Sequence, residues 1–218
     1  MLNLHENEST SVDAALRYLE TSDMADRIRL VALRHNGERN VAFSEGGGTL
    51  RFDPNRMFSD VGALASIEAL SDTLEAADPD AGMPIARSLA QRVSETGRLD
   101  QTPYIVALHN NTDANYQSTS YLPDSVYADE AAAVSINPER DPDDFFFVTE
   151  RGLFDQLAAQ GFNVVLQAPV GEATDDGSLS VYAGANRIGY VNVEAQHGHT
   201  DEQVAMLEAL MPLLQYNL

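Results

Sequence analysis

The chain alternates between segments with apolar residues at helical spacing and short runs of consecutive apolar residues. Helical spacing that follows capping residues predicts an opening helix over Ser11–Leu19, and similar patterns predict helices over Glu150–Gln160 and Thr200–Gln215. The Ala-, Leu- and Glu-rich stretch Asp60–Thr96, interrupted by the segment AADPDAGMP, predicts two more helices. Helices are therefore expected from near the beginning to the end of the chain.

Short apolar runs bounded by turn residues predict strands between these helices. Arg27–Leu33 alternates apolar and charged residues, and the Gly-rich turn SEGGG follows it. The other predicted strands are Tyr104–Leu108, Phe145–Thr149, Asn163–Gln167, Leu179–Tyr182 and Gly189–Val193. Alternating strands and helices indicate an α/β fold with a mixed, largely parallel central sheet flanked by helices. The length of 218 residues and the 44% hydrophobic content predict a single domain covering residues 1–218.

The charge of the chain is strongly acidic. Asp and Glu number 34 against 13 basic residues, which gives a formal net charge of -21. Such a charge repels a phosphate backbone, so nucleic acid is excluded as an expected partner. All basic residues are arginine, and this pattern together with the acidic surface indicates a high-salt environment. Because cysteine is absent, any metal ion must be bound by His, Asp or Glu.

The sequence predicts no membrane-spanning segment. Its longest apolar runs, such as Asn163–Val170 and Leu207–Leu214, are too short to cross a bilayer. The amino-terminal residues lack the basic leader and apolar core of a secretory signal, so we expect a cytoplasmic protein. An exported form whose leader has been removed stays open, and the oligomeric state is left undetermined.

Histidines and acidic residues at the ends of predicted strands form a candidate metal site. His35 and Glu38 lie three residues apart after the first predicted strand, and His109 ends the strand Tyr104–Leu108. In α/β sheets the carboxyl ends of the strands carry the chemistry. Imidazole and carboxylate groups suit zinc, and catalytic zinc usually takes three protein ligands and leaves one position for water. The pattern therefore favours one zinc ion held by His35, Glu38 and His109.

Two further segments carry polar residues suited to catalysis. Asn55 and Arg56 follow Pro54, and an arginine fork beside an amide can bind the carboxylate of a substrate. Glu194 ends the last predicted strand, where a buried carboxylate is costly unless it is functional or paired. His197 and His199, just beyond it, are interpreted as rim residues and not as a second metal site.

These residues resemble the zinc carboxypeptidase superfamily, and especially its aspartoacylase and succinylglutamate desuccinylase branch. The resemblance covers residues 34–199 and consists of four motifs in the family's order. They are the H-x-x-E ligand pair (His35 and Glu38), the D-x-N-R substrate clamp (Asn55 and Arg56), the later histidine ligand (His109) and the catalytic glutamate (Glu194). The resemblance implies a zinc carboxypeptidase-like (phosphorylase/hydrolase-like) fold and one zinc ion as cofactor.

The resemblance also implies a reaction and its catalytic residues. Glu194 would take a proton from the water that zinc activates and return it to the leaving amine. Arg51 would stabilise the oxyanion, and Tyr182 would be the active-site tyrosine, with Tyr190, Tyr116 and Tyr121 as alternatives. The expected substrate is a small molecule or peptide with a free carboxylate next to the scissile amide, either a peptide C-terminus, an N-acyl amino acid or a peptidoglycan stem.

Two other functions compete with this hypothesis. The segment RHNGERN is similar to the RHGE motif of histidine phosphatases, in which His35 would be the nucleophile and Arg34 would hold phosphate, and the later segment HGH, which ends at His199, resembles their second histidine. Asn36 interrupts that motif, and the phosphatase hypothesis gives no role to His109 or Glu194. A binding module that keeps the zinc fold without catalysis is the third possibility.

Overall fold

A seven-stranded mixed sheet forms the centre of the protein. The structure is a computed structural model that describes residues 1–71, 78–169 and 174–216. The sheet has the order β2-β1-β5-β9-β7-β8-β6, and β3 and β4 form a separate antiparallel hairpin. The strands are β1 (Leu2–Asn3), β2 (Val31–Ala32), β3 (Val41–Glu45), β4 (Gly48–Phe52), β5 (Tyr104–Asn111), β6 (Ala131–Ser135), β7 (Phe145–Val148), β8 (Asn163–Gln167) and β9 (Gly189–Gln196). Within the described part of the seven-stranded sheet, four strand pairs are parallel and two, β7–β9 and β6–β8, are antiparallel.

Helices cover both faces of this sheet. They are α1 (Ser9–Thr21), α2 (Asp60–Leu70), α3 (Met83–Gly97), α4 (Arg151–Ala159), α5 (Leu179–Ala185) and α6 (Thr200–Tyr216). One apolar core joins the sheet to α1, α4 and α6, and a second joins it to the hairpin, α2, α3 and α5. Among the described helices, none combines the length and the apolar character needed to cross a bilayer.

Successive side chains of β5 pack alternately into the two cores, and this alternation determines the face to which His109 belongs. Val106 and Leu108 pack with α1 and α6, whereas Ile105 and Ala107 pack on the opposite face. Because side chains alternate with period two, His109 shares the face of Ile105 and Ala107. The carboxyl end of β5 therefore presents a histidine on the face covered by the hairpin.

The coarse prediction of an α/β fold with a largely parallel sheet is confirmed. The predicted opening and closing helices correspond to α1 and α6, and the helix before residue 160 corresponds to α4. The predicted helices within Asp60–Thr96 appear as α2 and α3, and the part of that stretch over residues 72–77 lies outside the described residues. The SEGGG segment is the turn of the β3–β4 hairpin.

Two predicted strands are wrong. Leu179–Tyr182 belongs to α5, because the Ser178 hydroxyl accepts a hydrogen bond from the Val181 amide and caps a helix there. A short apolar run does not distinguish a strand from a buried helical segment by periodicity alone. Of Arg27–Leu33, only Val31–Ala32 forms a strand, since the preceding residues Ala25–Arg27 form a 3₁₀ turn. The predicted strands at Tyr104 and Gly189 are longer than expected and run to Asn111 and Gln196.

Candidate functional site

Three buried side chains at the carboxyl ends of β1 and β5 form a group that can hold a metal ion. They are His5, Glu8 and His109, which are 0%, 1% and 5% exposed. The Nδ1 atom of His5 lies 2.8 Å from Glu8 Oε1 and 3.0 Å from His109 Nδ1, and His109 Nδ1 lies 3.0 Å from Glu8 Oε2. Ligand atoms of a tetrahedral zinc ion lie about 3.3 Å apart, so this group needs to open by only a few tenths of an ångström.

The local fold explains why these three residues converge. β1 ends at Asn3, the chain turns through a hydrogen bond from the Glu8 amide to the His5 carbonyl, and α1 then begins at Ser9. The side-chain amide of the buried Asn3 donates to Ser11 Oγ at 3.1 Å and to the Glu8 carbonyl at 3.3 Å, and these two hydrogen bonds hold the turn in place. Because β1 and β5 are parallel neighbours, the turn after β1 lies beside the end of β5.

A buried amide network fixes the end of β5. Gln203 of α6 is fully buried, and its amide nitrogen donates to the carbonyls of His109 and Val193, both at 3.0 Å. Its oxygen accepts from Asn110, whose backbone amide donates to Glu8 at 3.1 Å. Gln203 thus ties together the strands β5 and β9 at the level of the site.

Asp53 and Arg39 surround the group with charge. The Oδ1 atom of Asp53 accepts a hydrogen bond from His5 Nε2 at 2.7 Å, which leaves His5 Nδ1 directed at Glu8 and His109. Arg39 reaches Glu8 Oε1 at 2.5 Å and Asp53 Oδ2 at 3.4 Å, and its side chain is 47% exposed. A carboxylate on the outer nitrogen of a histidine is the usual support of a metal-binding imidazole.

Burial and charge shift the pKa values of these groups. Burial alone would raise the pKa of Glu8, but the charge and hydrogen bonds of His109 and His5 lower it well below its usual range. Burial disfavours a charged His5 ring, yet hydrogen bonds to Asp53 and Glu8 raise its pKa to about 9. Burial is the main cause of the lowered pKa of His109. An ionised carboxylate and a neutral His109 are the forms that bind a metal ion, whereas the charged His5 ring must release a proton to bind one.

Glu194 lies on β9, directly beside His109 in the register of the parallel pair β5–β9. Its side chain is 4% exposed and accepts a hydrogen bond from Asn192 Nδ2 at 2.9 Å. Burial, together with the charge of Glu8, raises the pKa of Glu194 to about 8. Neighbouring strands are about 4.8 Å apart, so this carboxyl group stands next to the candidate metal site.

A wall of aromatic rings lies on the same face of the sheet. Tyr121 packs against Phe147 and Phe145 with ring centroids 5.4 and 6.2 Å away, and Phe145 is the register partner of Glu194 on β7. Tyr116 stacks on this cluster, and the hydroxyl groups of Tyr116 and Tyr121 share a hydrogen bond. Burial raises the pKa of both phenols, and the charge of Glu194 adds to the shift. The wall therefore excludes water from one side of Glu194.

The predicted clamp residues lie close to the group. The backbone amide of Asn55 donates to Asp53 Oδ1 at 2.7 Å, and the side-chain oxygen of Asn55 accepts from the backbone amide of Leu179 at 3.0 Å. Arg56 is 38% exposed, and its guanidinium lies 3.4 Å from Asp176. The charge of Arg56 acts on the pKa of Asp53, so this arginine shares the electrostatic environment of the site.

The structure does not bring the other predicted site residues into the group. His35 and Glu38 are replaced there by His5 and Glu8: Glu38 is exposed, and the His35 backbone amide instead donates to Glu6 at 2.5 Å. Arg51 lies on β4, where its amide contacts Ser71 at the end of α2, and the arginine that reaches Glu8 is Arg39. Tyr182 lies on α5 with its ring 5.4 Å from Phe58.

The sequence carried a signal for the residues that the prediction missed. His5 and Glu8 have the same H-x-x-E spacing as His35 and Glu38. The strand that precedes them contains only Leu2 and Asn3, which is too short for a periodicity signal. The segment from His35 to Arg39 nevertheless lies beside the site, because Glu6 also binds the Gly37 amide at 2.8 Å.

The features of the histidine phosphatase hypothesis are dispersed in the structure. The Arg34 guanidinium donates to the neighbouring Leu33 carbonyl at 3.1 Å, and His199 pairs with Asp144 at 3.0 Å. Within the described part of the chain, the ring nitrogens of His35 have no hydrogen-bond partner. These contacts give no support to a phosphate site around His35.

Comparison of the chain with protein-family models, with curated proteins and with solved structures finds no significant match.

Proposed function

We propose that this protein is a zinc-dependent hydrolase that cleaves an amide bond next to a carboxylate, with the zinc ion held by His5, Glu8 and His109. The observation that carries the proposal is the convergence of two imidazole Nδ1 atoms and a carboxylate within 3.0 Å of one another, beside the carboxyl group of Glu194. When bound, zinc polarises a carbonyl group and lowers the pKa of a water molecule to about 7. Three protein ligands would leave a fourth position on the ion for water.

Glu194 is the proposed general base. A carboxylate with a raised pKa is a stronger base than an ordinary carboxylate, so it accepts a proton from water more readily, and a pKa near the operating pH lets the resulting acid return that proton to a leaving amine. The amide of Asn192 orients one oxygen of Glu194, and the aromatic wall of Tyr121 and Phe145 keeps the group desolvated. The same carboxyl group would therefore serve both proton transfers.

Arginines supply the proposed positive charge for the oxyanion and for the substrate. Arg39 takes the role predicted for Arg51, because its guanidinium is in contact with both Glu8 and Asp53. A guanidinium at that point can stabilise negative charge that develops on the carbonyl oxygen. Arg56, with its planar fork partly exposed, binds the free carboxylate of the substrate, and Asn55 fixes the local backbone.

The finer assignment of the fold belongs to the same proposal. We assign the mixed sheet to the zinc carboxypeptidase-like class, because the motif order of H-x-x-E, D-x-N-R, histidine and glutamate is kept when His5 and Glu8 are the first pair. With His35 and Glu38 as the first pair, the number of residues between Glu38 and Asn55 is smaller than usual for the family. With His5 and Glu8 as the pair, this separation is larger. Mixed sheets with a site at the carboxyl ends of their strands suit such chemistry.

Turnover of defined substrates tests this function. Zinc-loaded protein in concentrated KCl would be incubated with N-acyl amino acids, short peptides and peptidoglycan stem peptides. We expect hydrolysis of at least one class, with the products an amine and a carboxylate. Glu194→Gln should retain zinc and lose about 10²–10⁴-fold in kcat, whereas the exposed Glu38→Gln control should keep both zinc and activity.

The outcomes separate the alternatives. Stoichiometric zinc without hydrolysis of any of the three classes would contradict the enzyme and favour a binding module. Hydrolysis of phosphomonoesters by metal-free protein would favour the phosphatase. Full activity in Glu194→Gln would remove Glu194 from the mechanism.

A further inference from the structure

An open cavity lies at the end of the sheet opposite the candidate metal site. It encloses about 340 Å³ and is lined by the amino-terminal parts of β1 and β5 and by the end of α6. Its walls include Leu2, Val106, Met211 and Leu214, so its interior is largely apolar. Ligand sites for small molecules typically have volumes of about 300–1,000 Å³, with apolar walls and a few polar groups.

The charged residues around this cavity are all basic. Arg27, Arg29 and Arg98 line it, and its described lining contains no Asp or Glu. The protein as a whole has 34 acidic residues and only 13 arginines, so a lining that holds three arginines and no acidic residue departs from the rest of the chain. Across residues 1–71, 78–169 and 174–216, the structure records no ion pair for these three side chains. Other exposed arginines do form them, as Arg87 does with Asp60.

We propose that this arginine-rimmed cavity binds a small organic anion with an apolar body, such as a medium-chain carboxylate. The apolar walls would take the hydrocarbon part, which gains free energy in proportion to the area removed from water. The guanidinium groups of Arg27, Arg29 and Arg98 would bind the carboxylate, for which their forked geometry is suited. This site is separate from the zinc site and does not depend on the proposed hydrolase activity.

Charge complementarity selects this occupant over a neutral or cationic one. A surface with a net charge of -21 repels anions in general, so an anion is retained only where basic groups are concentrated. Direct guanidinium–carboxylate contacts are screened by salt less than distant charges, because the Debye length of about 3 Å at 1 M salt is close to the contact distance. Salt should therefore weaken this site less than it weakens long-range attraction.

Calorimetric titration of the metal-free protein with octanoate tests the proposal. We expect one saturable site with a Kd on the order of 0.1–1 mM, which is typical of a ligand with few heavy atoms. Octanamide, which has the same shape without the charge, should bind at least about tenfold more weakly. Zinc-loaded protein should give the same Kd for octanoate, because the two sites lie at opposite ends of β1 and β5.

Matched variants locate the site. Arg27→Gln combined with Arg29→Gln should weaken octanoate binding at least about tenfold, whereas Arg17→Gln combined with Arg87→Gln removes the same charge elsewhere and should not. Met24→Trp, which fills the cavity, should also abolish binding. Arg56→Gln should leave it unchanged, which excludes binding at the proposed substrate clamp.

Several results would overturn the proposal. They are equal affinity for octanamide and octanoate, unchanged octanoate binding in the Arg27/Arg29 variant or in Met24→Trp, loss of binding in Arg56→Gln, and the absence of saturable binding. None of these results depends on whether the protein hydrolyses an amide, so failure here is distinct from failure of the proposed function.

Discussion

Asp53 is the residue on which the orientation of the first histidine depends. Its carboxylate binds His5 Nε2 at 2.7 Å and the Asn55 amide at 2.7 Å, so it connects the metal group to the clamp. Burial opposes its charge, but the hydrogen bond and charge of His5 lower the pKa of Asp53 well below its usual range. Asp53 is therefore an anion at neutral pH and fixes which nitrogen of His5 faces Glu8 and His109.

Replacing this carboxylate should weaken metal binding. Asp53→Asn keeps the shape of the side chain but removes the charge that orients and polarises the imidazole, and we expect zinc affinity to fall about 10–100-fold. Competition with a chromophoric chelator would measure the dissociation constant. Asp60→Asn, which removes an exposed carboxylate paired with Arg87, should bind zinc like the parent protein. Equal affinity in the Asp53 and Asp60 variants would contradict this role.

At this scale the sequence predicted part of the site. His109 and Glu194 were predicted from their positions at strand ends, and the register pair β5–β9 does place them side by side. His5 was missed because a lone histidine beside a two-residue strand has no periodic context. The choice between the H-x-x-E pairs at residues 5 and 35 depends on tertiary contacts, above all the parallel pairing of β1 with β5.

At the scale of elements, a close contact between the segment before α5 and the turn after β4 positions the clamp. Gly177 has φ +74, its carbonyl accepts from the Phe58 amide at 3.0 Å, and a Cβ atom there would collide with the Arg56 carbonyl. Gly62 at the start of α2 lies against the same segment, since a Cβ atom added at Gly62 would collide with the backbone of Gly177. Glycine at position 177 thus allows three elements to meet beside Arg56.

Adding a methyl group at this contact should destabilise the protein. Gly177→Ala combines an unfavourable φ with a backbone collision, and we expect the free energy of unfolding to fall by about 1–3 kcal/mol. Gly198→Ala is the matched control, since Gly198 has φ +91 but nothing within 4 Å of an added Cβ. Denaturant titration would compare them. A loss in Gly177→Ala no larger than in Gly198→Ala would show that the collision has no cost.

The junction between β7 and α6 contains a pair that should respond to pH. His199 Nδ1 lies 3.0 Å from Asp144 Oδ2, and although partial burial disfavours the charged ring, this hydrogen bond raises the pKa of His199 above its usual 6.5. A raised folded-state pKa stabilises the fold below the unfolded value, and the stabilisation is lost as pH rises through the folded value. Proton NMR should find His199 titrating above 6.5 in the parent and lower in Asp144→Asn. A pKa at or below 6.5 in the parent would contradict the pairing.

The element predictions were right for the long helical patterns, whereas the short apolar runs gave correct strands at β7 and β8 and a wrong strand at Leu179–Tyr182. The helices α1, α4 and α6 span 9–17 residues with clear apolar periodicity, and each was predicted. The run Leu179–Tyr182 fits a strand or a helix equally well, because its four residues are apolar or small, and the Ser178 cap decides for a helix. The lengths of β5 and β9 were underestimated because their last residues are polar side chains of the site.

At the scale of the whole molecule, a net charge of -21 implies strong repulsion between surface charges at low ionic strength. Repulsion between surface charges favours the expanded chain, and salt reduces it as the Debye length falls from about 30 Å at 0.01 M to about 3 Å at 1 M. The fold should therefore gain stability from salt.

Thermal unfolding across a KCl series tests this expectation. At neutral pH the melting temperature should rise steeply with KCl and then level off, because screening is complete once the Debye length is shorter than the charge spacing. The rise should shrink as pH approaches the isoelectric point near 4.3, where net repulsion vanishes. An equal salt dependence at both pH values would contradict an electrostatic origin.

The central claim is that His5, Glu8 and His109 hold one metal ion. Metal analysis of the dialysed, zinc-loaded protein tests it most directly, in the parent and in two matched double variants. We expect one zinc per chain in the parent and in His35→Gln/Glu38→Gln, and none in His5→Gln/Glu8→Gln. Retention of zinc by the His5/Glu8 variant, or its loss from the His35/Glu38 variant, would contradict the account.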